Sequence, residues 1–236
     1  MWRSLFCALI LPVSLFAGTL ADEFQKASLG DFVILRQPKL ITCLRIADRT
    51  DSEIIIEEVT GQEEGFTSSN VGAWLQKKPY LVSWTATCVD RKSGKVRAFF
   101  THTGSQWMET EARLSFLPAL LSLPLGPMPL DLRKRIGVPP EADEHDTRKL
   151  WLPRIVVDGK ELSHPEIEVF RVTIPREYEE LAGRHVTLYI PRAPEALSYF
   201  PYWVEVGSGI GKVKLQAIDS GRGLMEPVMN RKSLTP

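Results

Sequence analysis

The sequence predicts a mainly β (α+β) fold: a curved antiparallel sheet or half-barrel with two short helices packed on it. Three observations support this. Short β-branched runs bounded by polar turns recur in both halves of the chain. Segment 80–102 alternates about a D-x-x-S-G connection, which reads as a hairpin. Helical spacing is confined to two brief stretches, within 61–78 and around 117–123.

The start of the chain reads as an export signal. Arg3 precedes an uncharged apolar run over 5–16, and Thr19 and Ala21 put small residues at the cleavage positions, so residues 1–21 are expected to be a signal peptide removed after Ala21. The run is shorter than the ~20 residues of a spanning helix, so no transmembrane span is expected after its removal. Cys7 lies inside the run behind Phe6, the wrong place for lipid attachment. Residues 22–236 are then expected to form a single β-rich domain, periplasmic or secreted, with a proline-rich connector near 118–153. Cys43 and Cys88 remain in it, either as a disulfide in an oxidising compartment or as inert core thiols. Neither Asn70 nor Asn230 has Ser or Thr two places later, and the lack of a glycosylation sequon favours a bacterial periplasm.

Along the domain, the runs 32–35, 40–47 and 53–59 are rich in Ile and Val, with a polar hairpin connection over 48–52, and make an antiparallel meander. Phe66, Asn70, Ala73, Trp74 and Lys77 recur at three- and four-residue spacing, so a short helix capped by Ser68 or Ser69 turns Trp74 toward the sheet. In the next strand Val82, Trp84, Ala86 and Cys88 share one face and Ser83, Thr85 and Thr87 the other. Segment 114–130 carries no charge and four prolines. It reads as a helix with Pro118 in its first turn plus an apolar connector on the sheet, or as a mobile flap over a groove. Basic residues 133–135 then face acidic residues over 141–146, charges that neutralise each other across a turn. Strands are expected again at 169–174, 185–190, 202–206 and 212–218.

Composition and motifs exclude more than they assign. With 29 basic and 29 acidic side chains there is no net field for nucleic acid. No G-x-S-x-G marks a nucleophile elbow, and His102, His145, His164 and His185 form no metal pair at helical spacing. Val206 stands where the first glycine of a phosphate loop belongs. Glu57 and Glu58 point to opposite faces of a strand and cannot act together. No cofactor and no metal are expected, and an enzyme would need a site assembled from distant residues, such as Asp219 with a histidine.

The export signal, the antiparallel strands interrupted by two short apolar helices, and the aromatic segment Tyr199-Phe200-Pro201-Tyr202-Trp203 resemble the layout of periplasmic lipoprotein carriers. That resemblance implies a half-barrel whose concave side, lidded by helices, receives acyl chains. The chain departs from it at the start, because 22–29 is too short for the long initial helix of those carriers. The expectation is therefore a noncatalytic cell-envelope protein with a sheet/helix groove for a lipid-like or apolar protein ligand. Trp84, Phe116, Leu117, Leu120, Leu121 and Trp203 are its candidate lining residues. A structural or protein-interaction module with a closed core is the alternative.

Overall fold

The computed structural model describes residues 18–67, 70–76, 81–112, 115–141, 144–208, 211–225 and 234. The start of the expected signal segment and the Ser68 and Ser69 caps lie outside the described residues.

The first half of the sheet is a meander of β1 (Phe32–Gln37), β2 (Leu40–Arg49), β3 (Glu53–Gln62), β4 (Leu81–Asp90), β5 (Val96–His102) and β6 (Trp107–Glu109). After β7 (Gly126–Pro127), a separate small hairpin joins β8 (Val156–Val157) to β9 (Lys160–Glu161). The second half follows as β10 (Ile167–Thr173), β11 (His185–Pro191), β12 (Trp203–Ser208) and β13 (Gly211–Gly221). All but β8 and β9 join one curved 11-stranded sheet in the order β6-β5-β4-β3-β2-β1-β13-β12-β11-β10-β7. Every pairing is antiparallel, as expected. Register shifts at Ile34/Leu35, Ile46/Asp48, Thr60/Gly61 and Cys88/Val89 add local twist, which bends so wide a sheet.

Turn chemistry explains the hairpins. Asp90 Oδ1 accepts from the Lys92 and Ser93 backbone N–H groups at 3.0 and 2.8 Å, and Gly94 takes φ +66°, so the expected D-x-x-S-G turn forms. Asp158 and Gly159 adopt φ +48° and +73° between β8 and β9, a hairpin missed from sequence although Asp-Gly favours such turns.

Helices α1 (Leu20–Phe24) and α3 (Phe116–Ser122) cover one face of the sheet, here the inner face, and α2 (Val71–Gln76) covers part of the outer face. The expected helix within 61–78 is α2, and Trp74 is buried against Ile34, Ile41, Cys43 and Val59. Over its described residues, 115–130, the uncharged segment is a helix followed by an apolar connector. Leu117, Leu120 and Leu121 are buried in α3, Leu123 and Leu125 follow in the core, and β7 pairs with β10.

The structure bears on two further expectations, and of the two readings of the cysteines it favours the core thiols. Cys43 stands opposite Val59 and Cys88 opposite Ile55, so β3 lies between the two cysteines. Two strand spacings amount to about 9–10 Å, more than a disulfide spans, and the thiols are not joined. The domain start expected after Ala21 falls inside α1. Leu20 and Ala21 are fully buried, Thr19 and Asp22 form a capping box, and the Gly18 carbonyl accepts from Leu125 N–H at 2.9 Å.

The outer face also buries an ion pair. Arg45 Nη2 lies 2.6 Å from Glu57 Oε2 with both side chains nearly inaccessible, Arg45 Nη1 donates to the Leu224 carbonyl, and Trp84 Nε1 donates to Glu57 Oε1. Replacing Arg45 by Ala should cost roughly 3–5 kcal/mol in urea unfolding, because Glu57 is left buried without its cation. The paired change Arg45→Met with Glu57→Leu should recover most of that loss.

Candidate functional site

Strand periodicity decides which side chains meet over the inner face. Leu35 of β1, Thr42 and Leu44 of β2, and Glu58 of β3 point to it from one half of the sheet. Val204 and Val206 of β12 and Val213 and Leu215 of β13 point to it from the other. Leu20 and Phe24 of α1 and Phe116, Leu117 and Leu120 of α3 roof them. Between sheet and roof lies a cavity of about 280 Å³, close to the lower end of the ~300–1,000 Å³ typical of ligand pockets.

The polar groups in this apolar wall are few. Thr42 and Thr60 hydroxyls bond each other at 2.8 Å across β2 and β3. Glu58 is different. Among the described residues its carboxyl has no hydrogen-bond or ion-pair partner, and protein surrounds it except where it faces the cavity. Burial alone pushes it up to about 7. Arg184, just before β11, and Gln37, at the end of β1, supply polar groups at the other end, and Arg184 likewise lacks a partner among the described residues.

Of the six residues expected to line a groove, Phe116, Leu117 and Leu120 do so. Leu121 is fully buried on α3 among the core residues rather than at the cavity wall. Trp84 and Trp203 are corrected to the outer face. Trp84 pairs in register with Val59 and stacks near His102 and Trp107, at ring separations of 4.4 and 5.1 Å. Trp203 packs on Trp151 of the connector at 4.9 Å, while its neighbour Val204 takes the inner face. The physical reason is that both faces of the sheet are covered, so an aromatic residue in a strand need not face the groove. Sequence reasoning missed Leu20, Phe24, Leu35, Leu44, Glu58, Arg184 and the β12–β13 residues. One signal was readable: Ile54, Ile56 and Glu58 share a face, and an acid in that apolar phase marks a special position.

Two of the residues considered for catalysis hold structural contacts. Asp219 accepts backbone N–H groups from Gly159 and Ser220, which fixes the β8–β9 turn to β13. His185 Nδ1 pairs with the Thr173 hydroxyl across β10 and β11. Among the described residues no group of three or more His, Cys, Asp or Glu side chains is placed to hold a metal, and no helix is long and apolar enough to cross a membrane.

Fold and cavity together define a class: a wide curved antiparallel sheet roofed by short helices over an apolar chamber. The chain belongs to the CT021 protein family, whose model matches residues 42–163. The 2.0 Å structure of the hypothetical protein CT021 from Chlamydia trachomatis is similar with a TM-score of 0.59 at 16% sequence identity, over 87% of this chain and 93% of that one. This likeness establishes the fold. No curated protein matches the chain.

Glu58 makes stability fall with pH. The folded state holds this proton more tightly than the unfolded chain, where the ordinary value is 4.5, so the loss develops between about pH 4.5 and 7. Glu58→Gln should leave the urea midpoint unchanged at pH 4. At pH 8 it should raise stability relative to the unsubstituted protein by up to about 3 kcal/mol, reduced by screening through the cavity mouth.

Proposed function

We propose that this protein is a noncatalytic cell-envelope protein that binds a lipid-like ligand in the chamber between α1, α3 and the inner face. The observation that supports the reading is a continuous apolar cavity that the surrounding side chains do not fill. An apolar chamber of this size, roofed by two helices and open to solvent at its mouth, suits a guest. At about 30 Å³ per group, the share a water takes in the liquid, the chamber holds roughly nine methylenes. One acyl chain of that length gains about 7 kcal/mol gross on burial, before the cost of ordering it. The apolar N-terminal run supports export, with processing ahead of Thr19 so that α1 keeps Leu20 in the roof.

The test is native mass spectrometry of protein purified from its own envelope, expected to retain lipid. Val204→Trp, which fills the chamber from the sheet side, should abolish retention while preserving the unfolding midpoint within about 1–3 kcal/mol of stability. Lipid-free protein carrying a stoichiometric protein partner would instead favour the interaction-module reading. N-terminal sequencing of the same material should begin at or before Thr19, and a start at Asp22 would contradict the processing proposed here.

A further inference from the structure

We propose that the chamber seats a single-chain amphiphile with its anionic headgroup at Arg184 on the rim and its tail directed at Glu58, so that loading draws a proton onto the Glu58 carboxyl. This rests on the reading of the chamber as a lipid site.

The strand registers give the chamber a direction. Val206 pairs with Val186 and Val213 next to the β12–β13 hairpin, and Arg184 precedes β11 at that same end of the sheet, where Gln37 ends β1. Glu58 lies further in, opposite Leu44, which in turn stands opposite Val33. The chamber therefore runs from a basic rim to an acidic inner wall, with Leu35, Leu215 and Val204 between them.

Other guanidiniums of the molecule are held by carboxylates: Arg45 by Glu57, Arg148 by Asp146, and Arg192 by Glu23 and Glu168. Arg184 alone lines the chamber and lacks a carboxylate among the described residues. An anion held there would gain a charge-assisted contact beside an apolar surface that takes its chain. A volume of about 280 Å³ suits one chain better than the two of a diacyl lipid.

At the inner end Glu58 faces no cation among the described residues. On its own strand Ile56 and Thr60 share its face. On β2 its neighbours are Thr42 and Leu44, and on β4 they are Thr85 and Thr87. In the roof, α3 has no charged residue in its first or last turn. On α1, Asp22 closes the capping box and Glu23 pairs with Lys26 and Arg192. The other charged side chain in the lining, Arg184, is at the rim. A hydrocarbon tail arriving at Glu58 removes the water that its ionised form needs, so the complex favours the neutral acid more than the empty protein does. Binding and protonation then support each other. The carboxyl begins at about 7 when the chamber is empty. Affinity for the chain should therefore fall by up to about tenfold per pH unit above that point.

The experiment titrates four probes of equal chain length into the full-length mature protein by calorimetry between pH 6 and 9: decanoate, decyl phosphate, decanol and decylamine. Decanoate and decyl phosphate should bind, and decanol should be at least tenfold weaker. The tighter of the two anions shows whether a fatty acid or a phosphate headgroup is the natural source. Decanoate binding should weaken above pH 7, and in buffers of differing ionisation enthalpy it should take up a fraction of a proton. Arg184→Gln should bring decanoate down to the level of decanol, and Arg184→Lys should restore part of the difference. Glu58→Gln should bind decanoate with a pH-independent affinity. Decylamine binding best and depending on Glu58 would reverse the seating and overturn the proposal, and so would decanoate binding at pH 8 without proton uptake. Failure of all four probes at every pH would instead remove the lipid reading itself.

Discussion

The sheet is one object because of a single seam, β1 against β13, made by residues from opposite ends of the domain. Closing so long a loop is entropically costly, and local contacts cannot hold it. The seam is reinforced from several sides. Phe32 lies so close to Gly221 that a Cβ there would come within 2.9 Å of the ring. Leu224 N–H reaches the Gly30 carbonyl, Arg45 reaches the Leu224 carbonyl, and Tyr199 donates its hydroxyl to Asp31. The chamber straddles this line, with Leu35 on one side and Leu215 on the other. Separate the halves and no chamber remains.

The roof depends on the same kind of cross-chain bracing. A five-residue helix such as α1 has little stability of its own. Thr19 bridges to Pro124 just after α3, and Leu125 donates to Gly18, so the two roof helices are fastened to each other. Arg192, following β11, holds Glu23 from above and Glu168 from the neighbouring strand β10. Leu20, Phe24 and Leu120 turn their apolar sides inward from this frame. The roof is therefore held both by these connections along its margins and by the packing of Leu20, Phe24, Leu120 and Leu121 into the core on the inner face.

The strands and the hairpins between sequence neighbours were largely legible because periodicity and turn chemistry are local: Asp90 and Gly94 announce the β4–β5 hairpin, and Val82 to Cys88 alternate as a strand must, whereas the β1–β13 pairing joins residues far apart in sequence and left no local signal. The small elements β6 and β7 were not, since two or three residues carry no period and their pairing is decided by tertiary contact. At the site, α3 was legible from its uncharged leucine run, which supplied Phe116, Leu117 and Leu120. Trp84 and Trp203 misled because periodicity tells which residues share a face but not which face looks into the chamber. Both sides of this sheet are covered, the outer one by α2 and the connector around Trp151, so hydrophobicity does not distinguish inside from outside.

Glu57 and Glu58 carry the distinction that hydrophobicity cannot. They are neighbours on one strand, and the pleat sends them to opposite faces. On the outer face Glu57 accepts from Arg45 and from the Trp84 indole, the arrangement a buried carboxylate needs. On the inner face Glu58 receives no comparable partner among the described residues, although Thr42, Thr60 and Thr85 show that small polar side chains fit nearby. A protein stabilised only for its own sake would gain by placing an apolar residue or a threonine at this position. An ionisable group kept in an apolar wall, facing empty space, is instead the kind of local cost that functional sites retain. That contrast between adjacent glutamates, one fully satisfied and one left to the chamber, is what sets the inner face apart from the outer one.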